Sequence, residues 1–357
     1  MSCRRHNRPG CRTFPLPRNR LSAEPGGLVA VWRQRGPLAC LLYPVSLVFR
    51  ALVALRRAAY RAGLMQSHGV SVPVVVVGNL TVGGSGKTPL VIHLASALRA
   101  RGRRPGIISR GYRGTTRLVS RVTADSDPAV VGDEPVMLAA STGCPVFVGR
   151  DRPAAARALL AAHPDCDVLL SDDGLQHYRL KRDLELAVFD DRGVMNGWCL
   201  PAGPLREPLT RLAQVDALVL NGTAVSPAPT LGRPEFSMRL EGKRLYRLGA
   251  PQSICGVADL IGGELHAVAG IGAPQRFFDM LRAMGLDVIE HPFSDHHEYF
   301  VDDLAFAGGV VLTTEKDAVK LAHLSLPLPI WVLPVTAHLN PDLAEFVLEK
   351  LNGCPPA

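Results

Sequence analysis

An α/β fold is predicted for this chain: a parallel sheet covered by helices on both faces, a smaller α/β unit after it, and an apolar helix before it. Three observations predict it. From residue 69 to about 220, short apolar runs alternate with helix-competent stretches, as in strand–helix–strand units. The first run, Val74–Val77, leads into the glycine-rich segment Thr81-Val82-Gly83-Gly84-Ser85-Gly86-Lys87-Thr88. Ahead of both, Leu38 to Leu55 is almost wholly apolar and is followed by Arg56, Arg57 and Arg61.

The chain begins with a basic arm. Residues 1–36 carry eight arginines against the single acid Glu24, so nearly all of the net charge of +8 lies there. Residues 1–28, rich in Pro and Gly, read as a disordered extension, and no nucleic-acid partner is expected because no recognition motif accompanies the charge. The remaining chain is nearly neutral and, at 357 residues with 47% hydrophobic content overall, is long enough for two domains. Its eight cysteines are scattered without a C-x-x-C pair, which indicates neither a zinc site nor a disulfide framework and fits a reducing compartment.

Residues 29–68 form the predicted membrane-associated helix. A clean span needs about 20 apolar residues, and Pro44, Ser46 and Arg50 interrupt this one. Arg50 at a bilayer centre would cost about 2.5–3.5 kcal/mol, so lying in or dipping into the interface is easier than crossing. The arginines that follow would face anionic lipid on the cytoplasmic side. A core helix of a soluble domain is the competing reading.

After a linker at Gln66–Ser71, strands are expected at Val74–Val77, Gly106–Ser109, Val146–Val148, Val168–Leu170, Leu186–Phe189 and Ala217–Leu220. A Pro-rich stretch from Asn221 to Glu235 then suggests a boundary near residue 225. This gives a domain over 69–225 and a smaller α/β domain over 226–357. In the latter, strands are expected at Phe236–Leu240, His266–Ala269, Gly309–Thr313 and Ile330–Leu333.

Strand, glycine turn and Lys-Thr in that order build a nucleotide-phosphate cradle. Glycines at 83, 84 and 86 let successive N–H groups converge on phosphate oxygens at a helix start, where the helix dipole favours anions. Lys87 would reach the β- and γ-phosphates of ATP or GTP, and Thr88 would hold Mg²⁺. The residue where such loops usually begin with glycine is Thr81.

Further motifs supply acids and bases. The run Cys166 to Gly174 is an apolar strand ending in Asp172-Asp173, the arrangement that sets carboxylates beside the metal of a P-loop; an acid pair in an ordinary turn is the alternative. Asp133 and Glu134 open a helical stretch, as caps or, in the functional reading, with Asp133 as the base that deprotonates an attacking hydroxyl. In Ser294-Asp295-His296-His297-Glu298-Tyr299, His296 is read as a partner that crosses a cleft to tune a carboxylate. The loop Ser109–Gly114 and the pair Arg150 and Arg152 are basic enough to neutralise phosphates. Gly270-Ile271-Gly272 lacks a third glycine and reads as a tight strand-to-helix turn, and Thr313–Asp317 reads as a helix cap with an exposed Lys316 or as a phosphate contact.

Together these motifs resemble the tetraacyldisaccharide 4′-kinase family of Gram-negative bacteria. The resemblance runs from about Val29 to the C-terminus. It is carried by Val77 to Pro89, Ile108-Ser109-Arg110-Gly111-Tyr112, Gly132-Asp133-Glu134-Pro135, Asp172 to His177, Pro201 to Glu207, and Asp295-His296. Thr81 belongs to that family's phosphate loop. The resemblance implies a P-loop NTPase sheet and ATP-dependent phosphorylation of the 4′-hydroxyl of an acylated glucosamine disaccharide 1-phosphate, giving lipid IVA. It places the enzyme on the cytoplasmic face of the bacterial inner membrane, without an obligate protein partner. Carried over by residue, it implies that Thr81 to Thr88 hold ATP, with Lys87 and Mg²⁺ stabilising the transferred phosphoryl. Thr88, Glu134, Asp172 and Asp173 would serve the metal, and Asp133 paired with His296 would be the base. Arg152, His177 and Arg206 would contact substrate or the transition-state phosphate.

Two other classes share part of this pattern. A membrane-associated P-loop ATPase switch would use the loop, the paired acids and the apolar helix, but has no need of an acid pair at 133–134 together with a distant acid–histidine element. A soluble small-molecule kinase has no need of the apolar helix.

Overall fold

The computed structural model describes residues 28–222, 232–326 and 328–353. The basic extension expected over residues 1–28 lies, apart from its last residue, outside the described residues. In chain order the elements are α1 (Leu28–Trp32), α2 (Pro37–Arg61), β1 (Val74–Gly78), α3 (Lys87–Ala100), β2 (Pro105–Ser109), β3 (Ser120–Val122), α4 (Pro128–Val131), α5 (Asp133–Thr142), β4 (Val146–Val148), α6 (Arg152–Ala162), β5 (Val168–Asp172), β6 (Leu184–Asp190), β7 (Ala217–Asn221) and β8 (Glu235–Glu241). They continue with β9 (Leu245–Arg247), β10 (Ala250–Cys255), β11 (Leu265–Ala269), α7 (Pro274–Ala283), β12 (Ile289–Pro292), β13 (Val310–Thr314), α8 (Glu315–Leu321), β14 (Ile330–Leu333), β15 (Thr336–Asn340) and α9 (Leu343–Asn352).

β1, β5 and β6 are buried along their whole length, which is why Val74–Val77, Val168–Leu170 and Leu186–Phe189 within them read as apolar runs with no alternation. They lie at the middle of a nine-stranded sheet with the order β15-β8-β7-β6-β1-β5-β2-β4-β3. Every neighbouring pair from β8 to β4 is parallel, and antiparallel β15 and β3 close the two edges. One face packs on Leu90, Leu94 and Leu98 of α3 and Leu343 and Val347 of α9; the other packs on Ala155 and Leu159 of α6. The predicted two-faced α/β architecture is the one found. A second, six-stranded sheet has the order β10-β9-β14-β13-β11-β12, with Phe277, Phe278 and Leu281 of α7 in its core.

The domain boundary expected near residue 225 does not coincide with the division between sheets. β8 pairs parallel to β7, β15 pairs antiparallel to β8, and α9 packs on the larger sheet. The smaller unit is therefore an excursion over residues 245–333 from the edge of the larger one. The Pro-rich stretch is a connection within one sheet, because β8 carries its own inward-facing Phe236 and Met238 into that sheet's core.

α2 runs 25 residues and is long and apolar enough to cross a membrane. It is not a core helix: Leu41 is 74% exposed and Leu55 is 69% exposed. Only a narrow stripe touches protein. Ser46, in the middle of the apolar run, is buried because its Oγ donates to Cys199 O at 2.9 Å and accepts from Ala202 N at 2.9 Å. Tyr43 packs on Trp198 with ring centres 4.4 Å apart.

Candidate active site

The glycine-rich loop joins the carboxyl end of β1 to α3. Gly86, the residue before α3, is left-handed at φ 90°, and a Cβ there would collide with Asn221. Only glycine fits both demands. Side chains from several strand ends hold the loop open. Asn79 donates to Ser85 Oγ at 3.1 Å, Asn221 donates to Ser85 O at 3.1 Å, and Arg192, itself paired with Asp190, donates to Gly84 O at 2.8 Å. Val82, expected among the phosphate donors, instead gives its N–H to Pro204 O at 2.9 Å, and Thr81 bridges to Leu205 beside it. These two residues anchor the loop's first half, which leaves the amides from Gly83 onward to form the cradle.

Asp172 and Asp173 end β5 as expected and are electrostatically unlike. Asp172 is 1% exposed, neither carboxylate oxygen has a hydrogen-bond partner in the protein, and burial together with nearby Glu134 pushes it up to about 7. Burial acts on Asp173 in the same direction, but Lys87 and Arg206 outweigh it and hold the group down at about 2. Lys87 Nζ lies 3.8 Å from Asp173, and Arg206 Nη1 reaches both of its oxygens at 3.0 Å. The backbone of Asp173 is itself left-handed at φ 45°, strain of the kind that concentrates at functional sites.

The pairing expected between Asp133 and His296 is present. Nδ1 of His296 is 2.8 Å from Oδ2 and 3.1 Å from Oδ1 of Asp133. Asp133 starts α5, and its Oδ1 also accepts from Glu134 N at 2.9 Å. Burial would raise its pKa, yet the His296 hydrogen bond and the Lys316 charge lower it below the usual carboxylate value. His296 sits at φ 59°, on the loop after β12. Its N–H donates to Gly270 O at 3.1 Å, and its carbonyl accepts from Arg113 at 3.2 Å.

Lys316 is the residue that sequence reasoning undervalued. Its ammonium lies 3.1 Å from Asp295, 3.3 Å from Glu134, 3.3 Å from His296 Nε2 and 4.0 Å from Asp133. Its neighbours raise its pKa despite burial. Since the ammonium only donates, Nε2 of His296 accepts, so Nδ1 carries the proton shared with Asp133. The cap reading of the same segment also holds, because Thr314 Oγ1 accepts from Asp317 N at 3.2 Å. One motif serves both purposes.

Gly270-Ile271-Gly272 is the expected strand-to-helix turn, and it has a second use the sequence did not signal. A Cβ on Gly272 would lie 3.0 Å from Gly84 N, so the smaller unit abuts the phosphate loop there. Beside this contact lies a cavity of about 200 Å³ whose walls include polar Lys87, Thr88, Glu134 and Lys316 and apolar Leu240, Ile271, Phe277 and Met280.

One expected substrate contact is placed differently. Arg152 is 1% exposed and gives its Nη1 and Nη2 to Ile108 O, Ser171 Oγ and Asp172 O at 2.7–3.1 Å. It ties β2 to β5 beneath the acid pair, because a buried guanidinium must satisfy its donors on nearby carbonyls. His177 is half-buried and held neutral down to about 4 by burial and by Arg152. Arg206 faces the site through Asp173.

No cluster of three or more potential metal-ligating side chains occurs among the described residues. The donor set nevertheless fits Mg²⁺, which takes one or two carboxylates and completes its shell with phosphate and water. Asp172, buried with both oxygens unpartnered at the end of β5, is the fitting carboxylate.

A family model described as "LpxK: Tetraacyldisaccharide-1-P 4'-kinase" matches residues 38–352. A tetraacyldisaccharide 4′-kinase of Azoarcus sp. is 56% identical over 328 residues, covering 91% of this chain and 96% of the relative. One from Dechloromonas aromatica is 51% identical over 323 residues, covering 90% and 95%. Among solved structures, LpxK from Aquifex aeolicus in complex with ATP superposes with a TM-score of 0.76 at 31% identity, covering 88% of this chain and 99% of that one. With the match spanning both sheets and most of α2, the chain belongs to the tetraacyldisaccharide 4′-kinase family.

Proposed function

We propose that this chain transfers the γ-phosphoryl group of ATP to the 4′-hydroxyl of a tetraacylated glucosamine disaccharide 1-phosphate, giving lipid IVA at the cytoplasmic face of the bacterial inner membrane. The observation that carries the reading is the Asp133–His296 pair held against Lys316, which with Glu134 lines the cavity beside the phosphate loop. A switch ATPase has no use for it.

In this reading the amides from Gly83 to Thr88 and the ammonium of Lys87 cradle the β- and γ-phosphates, and the apolar wall of Leu240, Ile271, Phe277 and Met280 takes the base. Thr88, Asp172, Asp173 and Glu134 are the residues that would hold Mg²⁺, which when bound neutralises charge on the β- and γ-phosphates. Asp133, ionised and fixed by His296 Nδ1–H, accepts the proton of the sugar hydroxyl as its oxygen bonds to the γ-phosphorus. The bond from that phosphorus to the β–γ bridging oxygen breaks, and ADP leaves with the electron pair. Phosphoryl transfer asks little covalent help of the protein, so aim, charge and exclusion of water are the main demands.

An acylated acceptor stays in the bilayer, so the enzyme has to work at its surface. The exposed face of α2, from Leu38 to Leu55, supports that placement. The test is ADP release by the full chain in detergent micelles with and without the disaccharide lipid. Release that depends on the acceptor supports a lipid kinase; equal release without it favours a nucleotide switch.

A further inference from the structure

A second cavity lies at the opposite end of the larger sheet from the phosphate loop. It measures about 440 Å³ and opens between the last turns of α2 and the segments that lead into β1 and β6. Fifteen residues of helix separate Ser46, which touches the Cys199–Ala202 segment near the active-site end, from Arg61 at this cavity; at 1.5 Å per residue that is about 22 Å. It is not part of the phosphoryl-transfer cleft.

Its walls are cationic. Arg57, Arg61, Lys181, Arg182 and Arg211 face it against Asp183, Glu185 and Asp216. Two of the acids are committed to backbone: Asp183 accepts from Val74 N at 2.7 Å and Asp216 accepts from Glu185 N at 2.8 Å. Glu185 is shared by Arg182 at 2.9 Å and Arg211 at 2.6 Å. Arg57 meets only the neutral Gln214, at 2.7 Å, and Arg61 and Lys181 have no acidic partner among the described residues. Arg211, 2% exposed, is committed to Glu185 and to Glu207, 3.4 Å from its Nε. Arg57, Arg61 and Lys181, lining one cavity without an acid to pair with among the described residues, make a site for an anion.

The surroundings choose the anion. Leu52 and Leu55 on the outer face of α2 are exposed, and so are Leu64 and Met65 in the turn after it, the first of these 82% exposed. An apolar rim beside a basic cavity matches an acyl chain beside a phosphate. We propose that this cavity binds the phosphate headgroup of an anionic membrane phospholipid and thereby fixes the tilt of α2 against the bilayer. The proposal rests on the reading of α2 as membrane-facing.

Vesicle flotation of the full chain tests it, with phosphatidylcholine alone reading the apolar face and added phosphatidylglycerol reading the cavity. Arg57→Gln, inside the cavity, is compared with Arg56→Gln, one residue away and outside it. A diffuse surface field removes the same affinity for each, about fivefold per cation. A headgroup site makes Arg57→Gln about tenfold worse than Arg56→Gln on phosphatidylglycerol vesicles, as loss of a charge-assisted hydrogen bond does, with no change on phosphatidylcholine. Lys181→Gln, on an exposed side chain, repeats the test without touching the helix. Equal losses for Arg56→Gln and Arg57→Gln overturn the site. Complete displacement from anionic vesicles by millimolar inorganic phosphate at constant ionic strength overturns the lipid and assigns the cavity to the free anion. Failure to float on any vesicle overturns the membrane reading of α2 itself.

Discussion

Nδ1 of His296 lies 2.8 Å from Oδ2 of Asp133, although 163 residues separate them and they come from different units of the fold. The smaller unit is therefore more than an appendage at the sheet edge, since it delivers a histidine and a lysine to the carboxylate next to Glu134, which lines the cleft beside the phosphate loop. Asp133→Asn should keep nearly the same shape and ATP affinity while removing the proton acceptor. Turnover is expected to fall about 10²- to 10⁴-fold, the usual contribution of a general base. Steady-state kinetics alongside ATP titration separates the two effects, and unchanged turnover would exclude Asp133 from the role.

Lys316 lies within 4.0 Å of Asp133, Glu134 and Asp295, so it neutralises a concentration of acids. Lys316→Met should lower kcat about 10- to 100-fold, the loss of a hydrogen bond between charged groups. It should also leave a signature in pH. The ammonium helps hold Asp133 below its ordinary value, so without it the carboxyl titrates at higher pH. Because the base works only when ionised, the acid limb of the kcat/KM profile should move upward; a limb that stays in place would show that Lys316 acts elsewhere.

Gly86→Ala puts a Cβ on a residue at φ 90° and into the side chain of Asn221. The strain is on the order of 1–3 kcal/mol. Because Asn221 braces Ser85, the damage should appear as weaker ATP binding together with a lower melting temperature. Calorimetry of ATP binding and thermal unfolding read both.

Away from the cleft, His266 and His291 meet at 3.1 Å under the ring of Phe306. Burial, aided by His266, depresses His291 from 6.5 to about 4. The unfolded chain then binds more protons between those values, so stability falls as pH drops from about 6.5 to about 4 and levels off below. In urea unfolding series, His291→Gln should flatten that part of the curve; the same slope in both proteins would contradict the assignment.

The fold class was legible because β1, β5 and β6 are buried on both faces and so carry apolar runs at Val74–Val77, Val168–Leu170 and Leu186–Phe189, whereas the phosphate loop is written in local backbone requirements. The division at residue 225 was not legible. A Pro-rich connection looks the same whether it leaves a sheet or stays within it, and only the pairing of β8 with β7 decides. Asp133 and His296 could be singled out as chemistry-bearing residues, while their contact depends on how two sheets sit together. Lys316 and Arg152 illustrate the limit best. One was read as an exposed charge beside a helix cap or as a phosphate contact, and lies among carboxylates; the other was read as a substrate contact but is buried against carbonyls; both placements follow from tertiary burial, which leaves no mark on neighbouring residues.

The most direct measurement is transfer of radiolabelled γ-phosphate from ATP to a tetraacyl disaccharide 1-phosphate in detergent micelles, with the lipids separated by thin-layer chromatography. The expected result is a labelled lipid migrating as the bisphosphate, formed by the wild-type chain and nearly lost in Asp133→Asn. Label released only as inorganic phosphate, at the same rate with or without the lipid, would contradict it.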